Sequence, residues 1–70
     1  MSLRNHDWRE VIKALSHFGF QVVRQRGSHL VLRNQDKTIS VPRHSPIAMA
    51  TLREILFEAK IDEKDFLKKL

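Results

Sequence analysis

The sequence predicts an α+β domain: one helix, three short antiparallel strands, and further helices packed on one face of the sheet. Three observations carry this reading. An amphipathic helical stripe opens the chain, period-two apolar runs separated by turn residues fill its middle, and helical spacing returns after a proline-flanked loop. The 70 residues are expected to form a single domain over 1–70. A chain this short buries only about 60% of the surface it exposes when unfolded, so any site should be shallow and built from few residues.

The first helix is expected from Trp8 to Phe18. Asp7 and Glu10 have the spacing of a capping box, Trp8, Val11, Ile12, Leu15 and Phe18 share one stripe, and Gly19 stands where a left-handed cap is wanted. From Phe20 the period changes. "FQVVRQ" and "HLVLR" read as strands joined through Arg26-Gly27-Ser28, "NQDK" turns the chain again, and "TISV" makes a third strand that Pro42 ends. In "HLVLR", alternation places Leu30 and Leu32 on the core face and His29, Val31 and Arg33 on the other. The register of "FQVVRQ" is ambiguous, so neither Val22 nor Val23 is assigned to the core.

"PRHSP" is a loop, with Ser45 and Pro46 suited to be the cap and first residue of the next helix. Leu52, Ile55, Leu56 and Ala59 form that helix's apolar stripe. Phe57 lies off the stripe and is expected either to pack on the last helix or to mark a protein contact. Asp62 caps that last helix, which carries Phe66, Leu67 and Leu70. The order α-β-β-β-α-α shares its core with double-stranded-RNA-binding domains.

Charge is the first functional signal. The net charge is +5, and it is unevenly placed. Residues 24–43 hold five basic side chains (Arg24, Arg26, Arg33, Lys37 and Arg43) against Asp36 alone, a local excess of four. Such a cluster favours a polyanion. Other chemistries fare poorly. There is no cysteine, hence no disulfide and no thiolate, and the histidines lack metal-ligand spacing, so no metal and no cofactor are expected. Gly27 stands alone and cannot make a phosphate loop. Ser28 and His29 are adjacent on a strand, point to opposite faces and form no hydrolase dyad. No apolar run approaches the roughly 18 residues of a membrane span, and the expectation is a soluble cytoplasmic domain without membrane contact.

Of four histidines, His6 and His17 read as solvated surface residues. His44 sits beside Arg43 in the proline-flanked loop, where a binding contact is plausible. His29 differs, because a strand holds it and a glycine turn leads into it. Imidazole exchanges protons near neutral pH. RNA supplies its own nucleophile, the ribose 2′-hydroxyl, so a ribonuclease needs only a proton acceptor, a proton donor and positive charge near the phosphorane. The unreactive alternative is a strand-end histidine that bonds a phosphate without catalysis, in a non-catalytic RNA-binding module.

The chain resembles the HicA (YcfA-like) family of small toxin ribonucleases. The resemblance rests on "REVIKAL", "GFQVVRQRGSHLVLR" with its Gly-Ser-His, "ISVPRH", and "TLREIL" leading into "AKIDEKDFLKKL", in that order over nearly the whole chain. It implies a double-stranded-RNA-binding-like fold, cleavage of messenger RNA as part of a type II toxin–antitoxin stress response, and inhibition by a HicB-type antitoxin. The family's essential histidine is the one in Gly-Ser-His, His29 here. Arg24, Arg26, Arg33 and Arg43, with Gly27, Ser28 and His44, are then expected to hold RNA. Ala50 departs from the glycine that the family often has before its Thr-Leu-Arg. The resemblance leaves the second proton-transfer group, the oligomeric state and the RNA sequence preference open.

Overall fold

The structure, a computed structural model, describes residues 5–70. Helix α1 (Trp8–Ser16) is followed by strands β1 (Gln21–Arg26), β2 (His29–Asn34) and β3 (Lys37–Pro42), then by helices α2 (Met49–Ala59) and α3 (Glu63–Leu67). The sheet is antiparallel in the order β1-β2-β3, so β2 is paired on both sides. The predicted architecture is the observed one, with the helices on a single face.

The alternation read in β2 is realised. Leu30 and Leu32 are buried, and their cross-strand partners in β3, Val41 and Ile39, are buried with them. Val11, Ala14 and Leu15 of α1, Leu52, Ile55, Leu56 and Ala59 of α2, and Phe66 and Leu67 of α3 close over that face. Each large apolar side chain removed from water here contributes about 1.5–3 kcal/mol. Strand β1 behaves differently, being exposed along its whole length. A bulge between Val22 and Arg24 breaks its pairing with β2, leaving Val23 as the extra residue. That irregularity explains why alternation gave β1 no register.

Helix α1 ends at Ser16, two residues short of the expected Phe18, and the chain turns through His17–Gly19. Gly19 has the left-handed φ of +85° expected there. A Cβ at Gly19 would come within 3.1 Å of the Asn34 side chain, whose amide donates to the Phe18 carbonyl at 2.7 Å. The end of β2 is thereby tied to the end of α1.

The segment after β3 departs from expectation. Ser45 and Pro46 do not begin α2, which starts at Met49 with Ala48 at its cap. The Ser45–Pro46 bond is cis, and the chain instead carries Ile47 fully into the core, where its N–H donates to the His6 carbonyl at 2.7 Å. The first turn of α2 is satisfied from the other end of the chain: the Asn5 side-chain oxygen accepts from Met49 N–H at 3.0 Å. His6, expected in solvent, is consequently buried at 8% exposure. Phe57 departs from the first of its two expected placements. It is 84% exposed and does not pack on α3. Asp62 caps α3 as predicted, accepting from Lys64 and Asp65 N–H groups.

Asp7 links these parts. Its backbone N–H donates to Glu10 at 3.4 Å in the capping box, while its carboxylate accepts from the Ser45 hydroxyl and lies 3.6 Å from Arg9. The Ser45 hydrogen bond, helped by Arg9 and opposed by partial desolvation, holds the Asp7 carboxyl below its ordinary pKa. A depressed carboxylate stabilises the fold above its unfolded pKa, and that stabilisation is lost as pH falls through the folded value. Asp7→Asn keeps a competent helix cap but removes the charge. The variant should unfold at lower urea concentration than wild type at neutral pH. The gap should close as pH drops below the ordinary carboxylate range, and a gap independent of pH would show that the charge contributes nothing.

Candidate functional site

Strand pairing places the basic residues and His29 on one face. Paired residues share a side of the sheet. Arg24, Val31 and Ser40 therefore form one cross-strand row, and Arg26, His29 and Pro42 form the next. Both rows lie on the face opposite Leu30 and Leu32. His29 is the first residue of the central strand and is exposed.

The turn that delivers His29 is tightly held. Arg26 pairs directly with His29, leaving Gly27 and Ser28 as a two-residue connection, and Gly27 has φ +58°. A hairpin this short needs positive φ at a central position, which glycine adopts without strain. Space is not the constraint, since a Cβ at Gly27 would meet nothing within 4 Å. The Gln25 side chain donates to the Gly27 carbonyl at 2.9 Å, and Arg43 N–H donates to the Ser28 carbonyl at 2.7 Å. Two clamps thus hold the imidazole's attachment point on a strand paired on both sides.

A shallow groove runs across this face. Arg24 and Arg26 of β1 bound one side, Glu58 of α2 bounds the other, and His29, Val31, Thr38, Ile39 and Ser40 lie between. A second hollow adjoins it, sharing His29, Ser40 and Glu58 and adding Pro42, Thr51, Glu54 and Ile55. Among the described residues the ion pairs are His6–Glu10, Arg9–Asp7 and Arg53–Glu63, so neither Glu54 nor Glu58 is paired. The arrangement puts cations, an imidazole and a free carboxylate around one open surface. It can hold a phosphate and exchange protons beside it.

The structure gathers only part of the predicted set into the groove. Arg24, Arg26 and His29 line it, and Gly27 and Ser28 form the turn at its end. Arg33 lies farther along the same face, where its Nε donates to the Gln35 carbonyl at 3.0 Å. Arg43 is set over the Trp8 ring, 5.4 Å from its centroid, and Arg9 is 4.6 Å from the same ring. His44 is exposed in the loop after β3 and lines neither hollow. The α2 residues were missed by sequence reasoning. Thr51, Glu54 and Glu58 fall at i, i+3 and i+7 on one helical stripe. That spacing was visible, but nothing local says which element the stripe faces.

Comparison with known families matches residues 8–61 to the family described as HicA toxin of bacterial toxin-antitoxin. The match covers α1, all three strands, α2 and the Gly-Ser-His turn. Neither a curated protein nor a solved structure matches the chain. No helix among the described residues is long and apolar enough to cross a membrane.

The placement of Arg24 and Arg26 along the groove predicts their effect on polyanion binding. Removing one bond to a phosphate should lower the salt dependence of single-stranded RNA binding by about 0.7 in logarithmic slope. Arg24→Ala and Arg26→Ala should do so for all RNA sequences alike, measured by fluorescence anisotropy across a salt series. An unchanged slope with altered sequence preference would show a base-reading side chain instead.

Proposed function

Because the chain belongs to the HicA toxin family, we propose that this component of a toxin–antitoxin system is a metal-independent endoribonuclease that cleaves messenger RNA in the cytoplasm. The observation that carries the reading is the position of His29. An exposed imidazole stands at the clamped start of the central strand, in a groove bounded by two arginines. The 2′-oxygen next to the scissile phosphate is the nucleophile on this reading, and His29 serves as an acid or a base. Arg24 and Arg26 offset the charge that builds on the phosphorane. Arg33 extends the cationic track on the same face. Arg43 and His44 flank the turn that carries Ser28, and they contact RNA beyond the groove.

A HicB-type antitoxin would silence such a surface by covering His29. Acidic side chains facing the arginines suit that task, since complementary charge speeds and orients association. The runner-up, an RNA-binding module without catalysis, is favoured by the same groove and separated only by turnover.

Two measurements test the reading. His29→Ala should abolish RNA cleavage and growth inhibition while leaving the thermal midpoint near wild type, because an exposed strand residue adds little to the core. His44→Ala should have the smaller effect. A folded His29→Ala protein with full cleavage would remove the catalytic assignment, and the reverse ranking would move the site to the loop after β3.

The second measurement is of the fragments. Attack by the 2′-oxygen leaves a 2′,3′-cyclic phosphate and a free 5′-hydroxyl, and RNA with a 2′-deoxy residue at the cleavage position should resist. Cleavage should survive excess chelator. Fragments with 5′-phosphate and 3′-hydroxyl ends, or activity restored by magnesium after chelation, point to metal-activated water instead.

A further inference from the structure

We propose that Glu58 is the second proton-transfer group of the groove, taking the 2′-hydroxyl proton while His29, as imidazolium, protonates the leaving 5′-oxygen. This rests on the ribonuclease reading above and assigns the role that reading leaves open.

Three observations carry it. Glu58 is the acidic residue that lines both hollows, so it faces the arginine-bounded groove as well as the Pro42 side, whereas Glu54 lines only the latter. Among the described residues Glu58 is unpaired, while three other carboxylates have cationic or imidazole partners. It also stands across the groove from Arg24 and Arg26, because α2 packs beside β3 at the far edge of the sheet from β1. An anion on the rim of a phosphate site weakens phosphate binding. Its presence there calls for a role in the reaction.

The alternatives within the groove do not supply that role. Arginine stays protonated and cannot accept a proton. Thr38 and Ser40 are neutral hydroxyls near neutral pH, too weakly basic to take a proton from the ribose. His29 cannot be base and acid at once in a single displacement. An ionised carboxylate is an acceptor and an imidazolium a donor, so the pair divides the work without ambiguity.

The step balances. The Glu58 carboxylate removes the 2′-hydroxyl proton as the 2′-oxygen forms its bond to phosphorus. The bond from phosphorus to the 5′-oxygen breaks, and that oxygen takes its proton from His29. The products are the 2′,3′-cyclic phosphate, the 5′-hydroxyl, a protonated Glu58 and a neutral His29. Water restores both groups. Activity therefore requires Glu58 ionised and His29 protonated together, a bell-shaped dependence on pH. The charged groups that line hollows with Glu58 are His29 of β2, Arg24 and Arg26 of β1, and Arg53 and Glu54 on its own helix. Strand β3 presents hydroxyl and apolar side chains there, none of them charged.

The test is single-turnover cleavage of a short RNA by the full chain across a pH series, with affinity measured on the 2′-deoxy analogue. Glu58→Gln should slow cleavage about 10²–10⁴-fold, the usual contribution of a positioned acid or base. The analogue should bind as tightly as to wild type or more tightly, and the acidic limb of the pH profile should vanish. Glu58→Asp should recover part of the rate and the limb. Glu58 is exposed, so thermal melting should match wild type. Glu58→Gln cleaving at the wild-type rate, or cleaving slowly with its acidic limb intact, overturns the proposal. If His29→Ala is inactive in the same assay while Glu58→Gln is fully active, only the carboxylate assignment falls. A wild-type chain that cleaves no RNA sinks both readings.

Discussion

Pairing of β2 on both edges, combined with its period of two, divides the molecule into a core side and a working side. Leu30 and Leu32 point into the helices, and His29, Val31 and Arg33 point away. A one-residue slip in register would exchange the two sets. The slip is prevented by the buried Leu30–Val41 and Leu32–Ile39 pairs and by the two-residue turn at Gly27 and Ser28. Core packing thus fixes where the imidazole stands. Val31 shows how closely the faces are coupled: it lies on the working side yet is only 9% exposed, forming the apolar floor beneath the groove's polar side chains.

A domain of this size has no depth for a substrate cavity, and the groove is a surface made from two element types. The sheet provides a flat floor with cations on its free side, and α2 provides a wall with carboxylates on the other. For RNA, which brings its own nucleophile, such a surface suffices on the proposed reading. The bulge in β1 serves the same end. By inserting Val23 it brings Arg24 into the row of Val31 and Ser40 and Arg26 into the row of His29.

The second constraint is closure of the chain on itself. The residues before α1 and the loop before α2 meet through His6 and Ile47, through Asn5 and Met49, and through Asp7 and Ser45. These contacts set where α2 starts and therefore which of its residues reach the groove. Arg43 joins the same region to the turn before His29 through its hydrogen bond to Ser28, with its guanidinium over Trp8. The exposed Phe57 lies on α2 beside Arg53, Glu54 and Glu58, outside the arginine-lined groove.

Local patterns were enough for the element order, the core face of β2, the capping of α1 and α3, the left-handed Gly19, the hairpin turn at Gly27 and the outward-facing strand position of His29. Each depends on residues within a turn or a strand of one another, where spacing and conformational preference decide the outcome. Contacts across tens of residues decided the rest. The start of α2 is set by Asn5, 44 positions earlier, and the burial of His6 by Ile47. Phe57 stays in solvent because α3 packs through Phe66 and Leu67 instead. The wall of the groove shows the division most clearly. The helical spacing of Thr51, Glu54 and Glu58 was present in the sequence, but their approach to His29 exists only because α2 packs against β3 rather than β1. That choice belongs to the shape of the whole core, which no local period encodes.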